Sequence, residues 1–186
     1  MRIIVTGSRE WTCRPTIEAA LRKHAAVPGQ HVLVHGGAKG ADLIAAAVAE
    51  ELGWKVECHD ADWTAPCTSD CRHAPRRRRG GSTYCPAAGV RRNQLMADLG
   101  ADLALAFFRC GHANRGTWDM VQRAVRADIP VRKQWLDDLG RIHTSPQHSA
   151  PHHATPGRWD SPATVRVPFQ QPSPVAQPTV GLARLS

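Results

Sequence analysis

The stretch His35-Gly36-Gly37-Ala38-Lys39-Gly40-Ala41-Asp42 decides how this chain folds. It follows an apolar run at 31–34 and opens an Ala-rich segment at 43–52, a pattern typical of a turn from a strand into a helix. Its glycines allow close backbone approach and positive φ angles. The start of the following helix, with Lys39 beside it, suits a phosphate. A purely steric role for the glycines is the alternative.

Strand and helix patterns alternate on both sides of this turn. Predicted strands lie at 2–5, 31–34, 54–58, 101–108 and 129–131, and predicted helices lie at 15–24, 41–52, 87–100 and 117–127. Short strands joined by helices are the signature of parallel βαβ units. The sequence therefore predicts an α/β fold: a Rossmann-like three-layer domain with a mostly parallel sheet.

The 186 residues divide by composition. From about Asp138 onward the chain is rich in Pro, His, Gln and Ser, which cannot bury enough apolar surface to offset chain entropy. We therefore expect one domain at 1–136 and a disordered tail at 137–186. No signal peptide or membrane-length apolar stretch is visible, so we expect a cytoplasmic protein with no membrane partner.

A Cys- and Arg-rich insertion at 64–86 interrupts the domain and is predicted to be a structureless loop that needs an internal tie. Cys67, Cys71, His73 and Cys85 could together bind a tetrahedral Zn²⁺. Such a zinc would be structural, because four protein ligands leave no position for a catalytic water. Free cysteines and a redox disulfide are the alternatives. No other cofactor is predicted.

Basic residues give the chain a net charge of +8, and four arginines run together at 76–79 in the insertion. A basic surface of this kind is a candidate for nucleic-acid contact. A solvated arginine loop is the commoner outcome for such a run.

Further candidate ligand contacts follow the predicted strands. Ser8 and Arg9 come directly after the first strand, Arg92 and Asn93 lie in the first turn of the helix at 87–100, and Thr117 begins the next helix. The carboxyl edge of an open α/β sheet is where ligands bind. Helix capping by Ser8 and Thr117 and solvated arginines are the simpler alternatives.

Five motifs in order resemble the YspA-type, cpYpsA-related branch of the SLOG superfamily. They are Val5-Thr6-Gly7-Ser8-Arg9, the stretch 34–42, Asp62-Trp63, Arg92-Asn93-Gln94-x-Met96 and Arg115-Gly116-Thr117. The resemblance covers about residues 1–133. Members are Rossmann-like domains related to the Lonely guy proteins and to the DNA-processing protein DprA.

The resemblance implies a nucleotide or nucleotide-derived ligand, similar to ADP-ribose, over the carboxyl edge of the sheet. The ligand-binding residues that it implies are Gly7, Ser8, Arg9, Gly36, Gly37, Lys39, Gly40, Asp42, Arg92, Asn93, Arg115, Gly116 and Thr117. Asp42 is the candidate for ribose hydroxyls. Related proteins often self-associate, so a homo-oligomer is a further expectation.

One departure from the related Lonely guy enzymes bears on catalysis. Their Pro-Gly-Gly-x-Gly-Thr-x-x-Glu motif ends in an acid, whereas this chain has Met120 at that position and Asp119 one residue before it. One helical step turns a side chain by about 100°. Ligand binding or sensing is therefore the main hypothesis. A phosphoribohydrolase-type N-glycosidase using Asp42 or Asp119, and DprA-like nucleic-acid binding through the basic insertion, are the alternatives.

Overall fold

A computed structural model describes residues 1–144, and it contains the predicted succession of helices and strands together with three further short strands. The strands are β1 (Arg2–Gly7), β2 (Val32–His35), β3 (Lys55–Cys58), β4 (Arg76–Arg77), β5 (Thr83–Tyr84), β6 (Leu103–Arg109), β7 (Val131–Leu136) and β8 (Ile142–Thr144). The helices are α1 (Arg14–Ala25), α2 (Ala41–Glu51), α3 (Ala88–Asp98) and α4 (Arg115–Arg126). The tail predicted at 137–186 lies outside the described residues from 145 onward.

Six strands form the main sheet in the order β3-β2-β1-β6-β7-β8. All neighbours are parallel except β7 and β8. From β1 the chain builds outward through β2 and β3, then returns to place β6 on the other side of β1. The strand order therefore reverses between β1 and β6, and such a switch point is where α/β sheets bind ligands. The predicted mostly parallel Rossmann-like sheet is confirmed.

Alternate residues of the central strands enter two separate cores, which produces the predicted three layers. Ile3 and Phe107 belong to the core packed with α1 and α2. Ile4 and Phe108 belong to the core packed with α3 and α4. Because all four side chains are at most 1% exposed, both faces of the sheet are covered by helices.

Two segments are more ordered than predicted. The insertion contains an antiparallel hairpin in which Arg76 pairs with Tyr84 and Arg77 with Thr83, so it is not structureless. The fold also continues past the predicted boundary at 136, because β8 pairs with the end of β7. The turn between them is closed by Asp137, whose Oδ1 accepts the N–H groups of Leu139 and Arg141. The strands β4, β5 and β8 have only two or three residues each, so no alternation of apolar and polar residues marks them in the sequence.

Within residues 1–144, no helix combines the length and apolarity needed to cross a membrane.

Candidate functional site

A cleft of about 270 Å³ opens at the carboxyl ends of β1 and β6, at the switch point of the sheet. We call it the edge cleft. Its walls come from the end of β1, the loop before α2, the start of α3 and the loop leading into α4. The lining residues are Thr6, Gly7, Ser8, Arg9, Glu10, Ala38, Asp42, Arg92, Asn93, His112, Asn114, Arg115, Gly116 and Thr117.

Asp42 lies beneath the cleft with its carboxylate turned toward backbone N–H groups. Its Oδ2 accepts from Gly36 at 3.0 Å and from Ala38 at 3.3 Å, and the carboxylate also accepts from the N–H of Gly7. Burial raises the pKa of Asp42 to about 6, against the opposing effects of Arg92 and these hydrogen bonds. Asp42 therefore joins the ends of β1 and β2 under the cleft.

Backbone N–H groups of the turn before α2 donate hydrogen bonds to other groups of the protein. The N–H of Ala41 donates to the carbonyl of Ser8, and Gly37 donates to Nδ1 of His35 at 3.1 Å. Burial lowers the pKa of His35, which agrees with its Nδ1 acting as an acceptor. The N–H groups that the glycine pattern offers to phosphate, those of Gly36 and Ala38, donate to Asp42 instead.

Arg92 and Asn93 lie in the second turn of α3, not in the first as predicted, because the helix begins at Ala88, and they bring this turn to the cleft. The Arg92 guanidinium donates to the carbonyls of Gly36 and His59, and its Nε donates to Oδ1 of Asn93. The buried Asn93 donates to the carbonyl of Gly116 at 3.2 Å and to Asp119 at 2.8 Å. Burial lowers the pKa of Arg92, but an arginine stays charged in proteins.

The start of α4 forms the opposite wall. Asn114 is the N-cap residue and has φ of 41°, and its side chain binds the backbone of Arg109 and His112 rather than the first turn of the helix. A Cβ built on Gly116 would meet no atom within 4 Å. The N-terminal turn of α4 therefore borders open space with no side-chain cap.

The insertion brings Cys67, Cys71, His73 and Cys85 together, with their ligand atoms all within 4.8 Å of one another. We call these residues the Cys₃His cluster. The Sγ atoms of Cys71 and Cys85 lie 3.7 Å apart and no disulfide joins them, and His73 Nε2 lies 3.4 Å from the Sγ of Cys85. The predicted ligand set therefore converges on one point that could hold a metal ion.

Comparison with known proteins identifies the family. The model of the YspA, cpYpsA-related SLOG family matches residues 1–65. The gene 61 protein of Mycobacterium phage D29 is 37% identical over 136 residues, which cover 70% of this chain and 93% of the phage protein. The chain belongs to the YspA, cpYpsA-related SLOG family. The resemblance stated from the five motifs is thereby confirmed.

Two solved structures are similar to this SLOG chain. DNA processing protein A (DprA) from Streptococcus pneumoniae has a TM-score of 0.51 at 16% identity, over 71% of this chain and 49% of that one. Helicobacter pylori DprA, described in a single-stranded DNA binding mode, has a TM-score of 0.45 at 18% identity, over 70% of this chain and 63% of that one. The Streptococcus likeness shows a common fold, and this chain spans about half of that protein's length.

Most residues that the SLOG motifs single out line the edge cleft: Gly7, Ser8, Arg9, Asp42, Arg92, Asn93, Arg115, Gly116 and Thr117. Four lie outside its lining. Gly36 contacts Arg92, Gly37 faces Asp60, Gly40 packs against the carbonyls of Ser8 and Arg9, and Lys39 is exposed.

Of the two candidate acids, only Asp42 lines the cleft. Asp119 accepts hydrogen bonds from Asn93 and Arg123 at the α3–α4 contact. Both carboxylates are therefore engaged in hydrogen bonds within the protein.

Sequence reasoning missed five lining residues: Thr6, Glu10, Ala38, His112 and Asn114. Asn114 carried a usable signal, since Asn is a favoured N-cap residue and the helix begins directly after it. The helix was predicted to begin at Thr117, but Thr117 is a buried residue inside the first turn of α4, so it does not cap the helix.

Proposed function

We propose that the edge cleft binds the phosphate end of a nucleotide-type ligand at the start of α4. The observation that carries this proposal is the uncapped first turn of that helix, which borders the cleft beside Gly116. Helix N-termini attract anions through free N–H groups and the helix dipole. The location at the switch point of the sheet supports the same ligand class.

The charges around the cleft agree with an anionic ligand. Arg9 and Arg115 line the cleft and are exposed, so their guanidinium groups could reach a phosphate and bind it bidentately. Arg92 donates to two backbone carbonyls, and we assign it to the wall of the cleft and to its positive potential. Glu10 and Asp42 are the acids among the lining residues.

We favour binding without turnover over N-glycosidic hydrolysis. A general acid must reach the leaving group of the ligand. The Asp42 carboxylate accepts hydrogen bonds from three backbone N–H groups, and Asp119 is bound to Asn93 and Arg123. Met120, at the position of the Lonely guy acid, is fully buried.

Calorimetric titration with ADP-ribose and AMP, with adenosine as the phosphate-free control, tests the main proposal. Saturable binding of the phosphate-bearing ligands is expected, with no free base released. Arg115→Gln should raise the Kd at least tenfold, because a charge-assisted hydrogen bond contributes about 1.5–3 kcal/mol. Arg126→Gln, which removes an exposed arginine from the other end of α4, is the matched control.

A second pair of variants distinguishes two causes of weaker ligand binding: a methyl group that fills the cleft, and a Gly→Ala change that alters the stability of a helix. Gly116→Ala adds a methyl group at the cleft, and Gly89→Ala adds one to α3, where it would make ordinary contacts 3.5–3.7 Å from Trp63. Only Gly116→Ala should weaken binding. Equal effects in both variants, or equal binding of adenosine and AMP, would refute the phosphate site.

A second candidate function is nucleic-acid binding by the β4–β5 hairpin. The hairpin exposes Arg76, Arg77, Arg78 and Arg79, and the net charge of the chain is +8. The fold shared with Streptococcus DprA makes DNA the polyanion to test. Binding of a single-stranded oligonucleotide should fall steeply with salt and weaken in the double variant Arg76→Gln/Arg77→Gln, but not in Arg22→Gln on α1. AMP binding should be unchanged in both variants.

We also propose that the Cys₃His cluster holds a structural zinc ion. Tetrahedral bonds of about 2.3 Å to sulfur and 2.1 Å to nitrogen place two sulfurs about 3.8 Å apart and nitrogen and sulfur about 3.6 Å apart. The 3.7 Å and 3.4 Å separations in the cluster are close to these values. Metal analysis should find one zinc per chain, and Cys71→Ser should lose it while Cys13→Ser keeps it.

A further inference from the structure

Two consecutive arginines, at the junction of the first and second turns of α3, extend toward different sites. Arg91 extends to the Cys₃His cluster, where its Nη1 lies 3.3 Å from the Sγ of Cys85 and 3.7 Å from that of Cys71. Arg92 extends to the edge cleft and donates to the carbonyls of Gly36 and His59. The same helical turn therefore contacts both sites.

The cluster also sets where α3 begins. Cys85 is buried, and its carbonyl accepts the N–H of Ala88, the first residue of the helix, at 3.1 Å. Ala88 is itself 3% exposed. Fixing Cys85 in a metal site would therefore fix the backbone that enters α3, and with it the origin of Arg92 and Asn93.

Charge balance gives Arg91 a function at the cluster. Three thiolates, a neutral imidazole and a divalent cation leave one net negative charge on the site. Arg91 supplies a positive charge within hydrogen-bond distance of two of the sulfurs. Loss of the metal would remove the cation that keeps all three sulfurs as thiolates, and so would weaken the contact that holds Arg91 in this position.

We propose that the metal in the Cys₃His cluster positions the edge cleft: its occupancy holds the first turn of α3 through Cys85 and Arg91, and so sets Arg92 and Asn93. Ligand affinity then depends on a metal ion that the ligand does not touch. This inference rests on both the zinc and the nucleotide proposals above. Arg91 is a positioning residue in this scheme, because it acts on the cleft through α3.

Hydrogen exchange of the full chain, with and without a zinc chelator, tests the coupling directly. Metal removal should speed exchange at least tenfold in the amides of 88–93, beyond any change in 64–87, while β6 stays protected and shows that the domain remains folded. Adding zinc back should restore protection. Cys71→Ser should reproduce the chelated state, and Cys13→Ser, in a cysteine outside the cluster, should not.

ADP-ribose titration supplies the second readout. Chelation or Cys71→Ser should raise the Kd at least tenfold. Arg91→Gln should keep one zinc per chain and still raise the Kd about threefold or more, whereas Arg91→Lys should recover most of the affinity because it keeps the charge. If the metal-free chain unfolds, the zinc-loaded Arg91→Gln variant carries the test alone.

The possible failures are distinguishable. A wild-type chain that binds no zinc, even after addition of the metal, refutes the zinc proposal and this inference with it. Zinc-dependent protection of 88–93 without ADP-ribose binding refutes the nucleotide proposal but supports the positioning of α3. Unchanged exchange in 88–93 and an unchanged Kd after metal removal overturn the coupling itself.

Discussion

At the scale of single residues, the buried carboxyl group of Asp42 should make the stability of the fold depend on pH. It is 4% exposed, and its pKa is raised by burial even though three backbone N–H groups and Arg92 favour its charged form. Keeping this carboxylate ionised in the folded state therefore costs stability, whereas its hydrogen bonds hold β1 and the 36–38 backbone together.

Asp42 should give a pH-dependent stability between about pH 4 and 6. Its folded pKa of about 6 lies above the usual 3.8, so the folded state binds more protons and loses stability as pH rises through this window. The difference corresponds to about 3 kcal/mol. Asp42→Asn should flatten this part of the profile in urea unfolding at pH 4–8. An unchanged slope in the variant would contradict the raised pKa.

Gly40 and Gly53 have nearly the same φ angle but different surroundings, so alanine substitutions at the two positions can be compared directly. Both have positive φ, 77° and 73°, but a Cβ on Gly40 would lie 2.5 Å from the carbonyl oxygen of Ser8, whereas one on Gly53 would meet nothing within 4 Å. Gly53→Ala should cost about 1–2 kcal/mol for the left-handed backbone alone. Gly40→Ala should cost clearly more in denaturant unfolding, and equal costs would contradict this packing.

Individual site residues were partly predictable. Ser8, Arg9 and Gly116 could be found because they follow strands whose ends must meet at one edge. The partners of Asp42 could not be found, since an acid in the first turn of a helix can equally bind ligand, solvent or backbone. The Asp42 carboxylate accepts hydrogen bonds from Gly36 and Ala38 because the turn folds back over the start of α2, and the sequence does not show this conformation.

At the scale of elements, the contact between α3 and α4 depends on Asn93. Its amide donates to the carbonyl of Gly116 and to Asp119, and Arg92 donates to its oxygen. Asn93→Ala should destabilise the fold by about 1–3 kcal/mol, because it removes the three hydrogen bonds of a buried amide. Leu95→Ala, at a half-exposed position on the same helix, should cost clearly less. Urea midpoints of the two variants decide this, and equal shifts would refute it.

Helices were easier to predict than short strands. The helices at 41–52 and 87–100 closely match α2 and α3, because apolar spacing and the glycines after them mark both. The last parallel strand was predicted at 129–131, but β7 extends from Val131 to Leu136. Its Arg132, Lys133 and Gln134 hide the apolar pattern, and Lys133 lies over the ring of Trp118.

At the scale of the whole molecule, β8 completes one side of the sheet. Ile142 pairs with Leu136 and packs against the core on the α1–α2 face. A chain ending at 136 should be less stable than one ending at 144 by about 1–2 kcal/mol, the order expected for a partly buried isoleucine side chain. Thermal unfolding of the two shortened chains measures this, and identical midpoints would show that β8 adds nothing.

The mostly parallel sheet was predictable because strands that alternate with helices form parallel βαβ units. The meeting of Cys67, Cys71, His73 and Cys85 was predictable only as a candidate, since irregular spacing fits several outcomes. The arrangement of Arg91 toward that cluster and Arg92 toward the cleft could not be predicted, because it depends on the rotation of α3 about its axis.

At the end of the sheet away from β8, β3 is an edge strand, and no further strand pairs with it among residues 1–144. Unpaired strand borders invite aggregation with neighbouring molecules. Here Lys55 and Glu57 place opposite charges 3.1 Å apart on the strand, and Glu57 also pairs with Arg2. A second molecule adding its own strand there would have to dehydrate these charges, which disfavours edge-to-edge pairing between molecules.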